Sequence, residues 1–385
     1  MVISISYYKI FVFSVLFLIF NVKVLTGLDF SNAIEKMFFL LACFYLWWFG
    51  RLNKWAMVSC LLVVIICLFS AFMSKNENLD YWILFKALTQ IVILFFLLGA
   101  VVEERESLKL AKFFCFVPLI CILLGCVYTG VGIRNLISIE YVSGLPRLQG
   151  TLIPAYLGGL SITAVFCSLY LVQKSGYTYF WLVAFNALVL FLTGGRMALF
   201  VGASLCMLYF YFSFKSQSHL KVFLTLLGIG GCFILLLFGG GLFSRITQTH
   251  LSGRDLIWNY LLDLINEYEW FGVGFGHQIY FVPDEVKILT GNTIGAHNEY
   301  LRISSEIGVI PAFFAFLIMF SFCFYRAFYS RGIGRLMMFA GTFLYALFCY
   351  TDNALSSPHI FIFIVVLFNI YSGSGGDFNS KKGKL

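Results

Sequence analysis

At 385 residues the chain has length for two or three soluble domains, but 61% of it is hydrophobic and only 11% is charged, against about 25% charged residues in a soluble domain. A net charge of +8 raises the question of a polyanionic partner, which the distribution of the charges answers below. Soluble, collagen-like, disordered and disulfide-framework classes fall away, and the expected fold is all-α, a polytopic transmembrane helix bundle.

Twelve apolar stretches are expected to span, at 5–22, 33–50, 55–73, 81–102, 113–131, 151–172, 177–193, 197–214, 220–242, 304–325, 336–351 and 355–371. The first lacks a small-residue cleavage site and reads as a retained span rather than a signal peptide. No internal repeat or soluble unit interrupts them, so residues 1–385 are expected to form a single integral membrane domain. Within it, 243–303 is a large outer loop and 372–385, rich in Gly, Ser and Lys, a flexible cytoplasmic tail. With both termini inside, fifteen of the 26 basic residues and four of the 18 acids fall on the inner face. The inner side is then strongly positive and the outer side slightly negative. The positive-inside rule accounts for the net charge with no nucleic acid. The eleven cysteines lie in or at the edge of spans without a CxxC pair and read as apolar packing residues.

In chain order, the first residues able to carry chemistry are arginines on the outer side, where the rule disfavours them. Arg147 precedes span six and Arg196 follows Thr193-Gly-Gly195 at the outer end of span seven. Each fits an anion ligand or a topological anchor. Ser252-Gly-Arg-Asp255 opens a helix as an N-cap. Leu256, Ile257, Tyr260, Leu261, Leu264, Ile265 and Tyr268 give that helix an apolar stripe, to lie on the membrane surface or on the bundle. Arg254, in its first turn and along that stripe, fits a phosphate site at a helix N-terminus, or an interfacial anchor that snorkels to headgroups. Gly272, Gly274 and Gly276 break the helix and let backbone pass close to a bulky ligand, or form a hinge. His297, followed by Asn298 and Glu299 at a loop-to-helix junction, fits a general base whose tautomer a neighbour fixes, or a helix-start histidine bonded to backbone. Arg302 stands three residues from Glu299 and four from Glu306 and reads as part of a surface ion-pair network. No spacing supports a metal site, and no cofactor is expected.

Four segments resemble the O-antigen polymerase and O-antigen ligase superfamily of bacterial envelope glycosyltransferases. They are Arg147-Leu-Gln-Gly-Thr151, Leu192-Thr-Gly-Gly-Arg196, Ser252-Gly-Arg-Asp-Leu-Ile-Trp258 leading to Trp270-Phe-Gly-Val-Gly-Phe-Gly276, and Ala296-His-Asn-Glu-Tyr-Leu301 through Gly308. The resemblance covers about residues 140–325. It implies a metal-independent transferase that takes a glycan from an undecaprenyl diphosphate carrier at the outer face of the bacterial cytoplasmic membrane. Arg147, Arg196 and Arg254 would hold the diphosphate, His297 would act on the acceptor hydroxyl, and Asn298, Glu299 and the three glycines would line the substrate. Partners implied are the lipid-linked oligosaccharide, membrane lipids and a chain-length regulator.

Ligases of the superfamily tend to carry a second histidine two positions before His297, where this chain has Gly295. The Glu-Tyr-Leu continuation also looks more like repeat-unit polymerases, so polymerase is the first expectation, for O-antigen, capsule or exopolysaccharide, and ligase the alternative. A flippase or transporter is a third reading. Transporters place charge at the membrane midplane and often carry repeats, and here charges within spans, Lys86 among them, are few and lie towards the span ends.

Overall fold

The computed structural model of the protein describes residues 6–27, 31–140, 144–213, 254–289 and 295–372. The first half runs through α1 (Tyr7–Phe20), α2 (Val22–Thr26), α3 (Ser31–Trp48), α4 (Lys54–Met73), α5 (Tyr81–Leu98) and α6 (Glu104–Gly130). A two-stranded antiparallel hairpin follows, β1 (Ile137–Ile139) with β2 (Pro146–Leu148), in which Ser138 pairs with Arg147. The second half holds α7 (Pro154–Ser175), α8 (Phe180–Leu192), α9 (Arg196–Ser213), α10 (Arg254–Glu267), α11 (Gln278–Phe281), α12 (Asp284–Leu289), α13 (Glu299–Ile307), α14 (Val309–Tyr329), α15 (Gly332–Thr351) and α16 (Pro358–Ser372).

Seven of these, α4, α5, α6, α7, α9, α14 and α15, are long and apolar enough to cross a membrane, and α1, α8 and α16 are shorter apolar helices. The chain is an all-α, multi-pass membrane protein. The hairpin between α6 and α7, a stretch read as loop in the sequence, is its one departure from helix and loop among the described residues. The expected span 220–242, the Ser252 cap, Cys232 and the tail past 372 lie outside the described residues. Each other expected span overlaps a helix, with two shifts. Helix α6 starts at Glu104, because charged helix formers extend the helix beyond its apolar run. The stretch 304–325 is cut at Gly308, whose φ of 87° ends α13 and starts α14.

Helices α7 and α16 are buried on every side, Leu157 to Leu171 in one and His359 to Tyr371 in the other, as an all-apolar helix at the centre of a bundle must be. In lipid the polar groups of such helices have to be satisfied internally. Ser161, Thr163 and Ser168 do so by donating to the carbonyls of Leu157, Gly159 and Ala164. Two contacts identify one end of the bundle. Asn369 Nδ2 donates to the Tyr7 hydroxyl at 2.8 Å, and Arg51 pairs with Glu103 and Glu106, each at 2.7 Å. Buried Arg326 donates to the carbonyls of Leu98 and Ala100 at the same end, a cation on the unpaired C-terminal groups of α5. The opposite end gathers the hairpin, the starts of α7 and α9, the α15–α16 turn and helices α10 to α13.

Candidate functional site

Helix α10 buries its stripe against protein. Ile257, Leu261 and Leu264 form a satellite core with Val273 and Ala296, flanked by Tyr260, Tyr268, Phe281 and Leu301. Of the two placements expected for this amphipathic helix, on the membrane surface or on the bundle, Ile257, Leu261 and Leu264 show packing on protein, where they close onto α13 and the glycine loop, while Leu256 stays exposed. Trp258 Nε1 donates to the Ala296 carbonyl at 2.8 Å, which ties α10 to the segment just before His297.

Arg254, the first residue of α10, therefore points into the molecule rather than along a lipid-facing stripe. Its Nη1 donates to the Thr351 carbonyl at 3.1 Å, one of the unpaired groups at the C-terminus of α15. Arg147, on β2, donates through Nε to the Thr193 carbonyl at 2.7 Å and pairs with Glu140 at 3.4 Å. That first bond links the hairpin to the Thr193-Gly-Gly turn ahead of Arg196. Arg196 is exposed and has no hydrogen-bond partner among the described residues. The three arginines share one field. Burial lowers the pKa of Arg147, the Arg254 charge lowers it further, Asp352 opposes and Arg196 adds to the lowering. Three like charges beside two acids, Glu140 and Asp352, leave a positive field of the kind an anion favours.

His297 sits beside them. Its backbone is left-handed, φ 46°, a conformation that costs a non-glycine residue roughly 1 kcal/mol or more. Two bonds from the α15–α16 turn hold it there. Its N–H donates to Asn353 Oδ1 at 2.8 Å, and its Nδ1 lies 3.2 Å from Asp352 Oδ1. Asp352 Oδ1 also accepts from the Asn353 N–H at 2.8 Å. Burial pushes the Asp352 carboxyl up, but the hydrogen bond and charge of His297, the Asn353 N–H and the Arg254 charge outweigh it and hold the group below the usual carboxylate range. An ionised carboxylate can only accept, so Nδ1 donates to it, and in the neutral ring the lone pair is then on Nε2. The imidazole is 24% exposed and so can meet a substrate.

The structure thus brings together Arg147, Arg196, Arg254 and His297, and it moves the other expected substrate residues into the framework. Asn298 caps α13, its side chain accepting from Tyr300 N at 3.0 Å and Leu301 N at 3.1 Å. Glu299 is fully buried and bonded within the protein. The glycines face protein as well: a Cβ on Gly272 would strike the backbone of Glu306, one on Gly274 the side chain of Leu79, and one on Gly276 that of Ala87. Their φ values of 63°, 104° and 88° are open to glycine at no steric cost, so they seat this loop on the α4–α5 loop, α5 and α13. The expected surface network of Arg302 is buried, with Glu299 at 0% and Glu306 at 2% side-chain exposure.

Asp352 and Asn353 were missed by sequence reasoning. A signal existed, for Asp352 is the sole acid between Glu306 and Asp377, placed in the short turn after span eleven. Among the described residues no three His, Cys, Asp or Glu side chains group as metal ligands.

Residues 179–317 match the model of a family described as O-antigen ligase. The match supports the O-antigen ligase and polymerase superfamily. It contains Arg196, Arg254 and His297, and leaves Arg147 and Asp352 on flanking elements. Proteins of this superfamily are membrane glycosyltransferase-like enzymes. No curated protein matches the chain.

Proposed function

We propose that this protein polymerises undecaprenyl-diphosphate-linked oligosaccharide repeats into an envelope polysaccharide at the outer face of the cytoplasmic membrane. One observation carries this reading: Arg147, Arg196 and Arg254 share one field at the end of the molecule where Asp352 holds the His297 ring through Nδ1. His297 Nε2 takes the proton from an acceptor sugar hydroxyl as that oxygen bonds to the anomeric carbon of the donor chain. The bond from that carbon to the carrier phosphate breaks, and the electron pair leaves with the diphosphate. Arg196 and Arg254 hold the departing charge, Arg147 adds to the field, and no nucleotide sugar or metal enters. A base of this kind contributes about 10²- to 10⁴-fold in rate, and guanidinium groups bind phosphate bidentately where lysine is only a point charge.

Gly295 favours polymerase over ligase. A Cβ there would lie 2.7 Å from Asn353 Nδ2, so a second histidine at this position, as ligases tend to carry, would require the Asn353 side chain that anchors His297 to shift. The ligase reading draws on the description of the matching family. Deleting the gene in its host separates the two. A polymerase deletion leaves lipid A core bearing a single repeat where the host makes such a core. A ligase deletion leaves bare core and a pool of long carrier-linked chains, and that result would overturn the proposal.

A further inference from the structure

Helix α13 follows the base directly and carries three charged side chains inside the protein. Glu299 Oε1 accepts from Leu355 N at 2.8 Å, Ser356 N at 2.9 Å and Ser356 Oγ at 3.0 Å. Its Oε2 accepts from Arg302 Nε at 2.6 Å, and Arg302 Nη1 reaches Glu306 Oε2 at 2.8 Å. Two carboxylates share one guanidinium, and the three donors of residues 355 and 356 complete the hydrogen bonds of the Glu299 carboxylate. A buried ion group of this kind gives little stability for its desolvation cost and is better understood as fixing geometry. What it fixes is the α15–α16 turn, because Leu355 and Ser356 lie two to four residues past Asp352 and Asn353. The turn is held at both ends by one short stretch of chain, with His297 on Asp352 and Asn353, and Glu299 on Leu355 and Ser356.

We propose that Glu299 is a positioning residue. It clamps the 352–357 turn to the start of α13 so that Asp352 meets His297 Nδ1 and the lone pair of Nε2 is presented to the acceptor hydroxyl. Glu299 touches no substrate. This rests on the reading of His297 as the base, and it replaces the expectation that Glu299 lines the substrate site. The chemistry predicts a particular sensitivity. Aspartate keeps the charge and the neighbouring Arg302 but draws the carboxylate back by one methylene, and a misplacement of about 1 Å in a catalytic group costs up to about 10²-fold.

The test uses the full chain purified into lipid nanodiscs, with a synthetic undecaprenyl-diphosphate-linked repeat as substrate. Glu299→Asp should lower kcat by about ten- to a hundred-fold and leave KM for the lipid-linked repeat within about twofold. In a double-mutant cycle with Asp352→Asn, which itself lowers kcat, Glu299→Asp should add little further loss, because both act on one geometry. Hydrogen exchange of the 353–357 amides should accelerate in Glu299→Asp while that of α7 stays unchanged, which shows that the variant is folded. Losses that multiply in full, a rise in KM with kcat preserved, or unchanged exchange in the turn would each overturn the proposal. His297→Ala is the separate control. Full activity in that variant, with the turn still loosened by Glu299→Asp, would reject the base and leave the clamp standing as a structural contact only.

Discussion

Asp352 and His297 form a hydrogen-bonded pair, and under the proposed function the acid sets the tautomer while the histidine takes the acceptor proton. Asp352→Asn keeps the shape but can donate as well as accept, so the imidazole is no longer held with Nε2 free. Turnover should fall by about 10²- to 10⁴-fold, the range a positioned base supplies, with carrier-lipid binding unchanged in a KM measurement. The pH dependence has a definite sign. The Asp352 carboxyl is held below its ordinary value, so its contribution to stability is complete above that ordinary value, near ~4, and is lost as pH falls through the lowered one. Hydrogen-exchange protection of the turn, corrected for the intrinsic pH dependence of amide exchange, should be flat from neutral pH to about 4 and fall below it, and in Asp352→Asn that acid-dependent loss should be absent. Arg254→Lys tests the other half of the site. Lysine keeps the charge but not the fork, so most polymer should be lost on a gel while the protein still accumulates in the membrane. Long chains in that variant would reduce Arg254 to an anchor for the Thr351 carbonyl.

At the scale of elements, the loop helices hold the site as a small core of their own. Leu261 is fully buried and belongs to the cluster that joins α10 to Ala296. Leu261→Ala should cost about 2–5 kcal/mol locally and should loosen α10 and the 295–298 segment in exchange measurements before the spans respond. Simultaneous loss of protection in α7 would show that these helices have no separate stability. The amphipathic stripe of α10 was plain in the sequence because its 3.6-residue period is a local property. What it packs on was not, since α13 lies about forty residues further on and an apolar stripe suits lipid and protein equally. The glycines at 272, 274 and 276 announced a close approach without naming the neighbour, and the neighbours are the α4–α5 loop, α5 and α13. Glu299 and Arg302 show the same gap. Their spacing revealed the ion pair, while its burial depends on the α15–α16 turn folding over it.

For the whole molecule, the apolar runs located the helices because lipid demands continuous hydrophobic length. They located the boundaries less well where polar helix formers extend α6 and where Gly308 divides a run. The arginines and His297 were found because charge is scarce in such a chain and therefore conspicuous. Asp352, equally scarce, was passed over since its partner is 55 residues away and nothing local joins them. The charge split predicts sidedness: reporter fusions at Ser252 and Ser330 should report opposite sides of the membrane, and the same side for both would reject the topology.

The central claim is that His297 removes the acceptor proton for a transfer powered by the carrier diphosphate. It is tested most directly by reconstituting His297→Ala with the lipid-linked repeat and following chain length on a gel. The account predicts that the single repeat stays on its carrier, with elongation slowed by about 10²-fold or more and carrier binding retained. Chains of normal length at normal rate in that variant would contradict it.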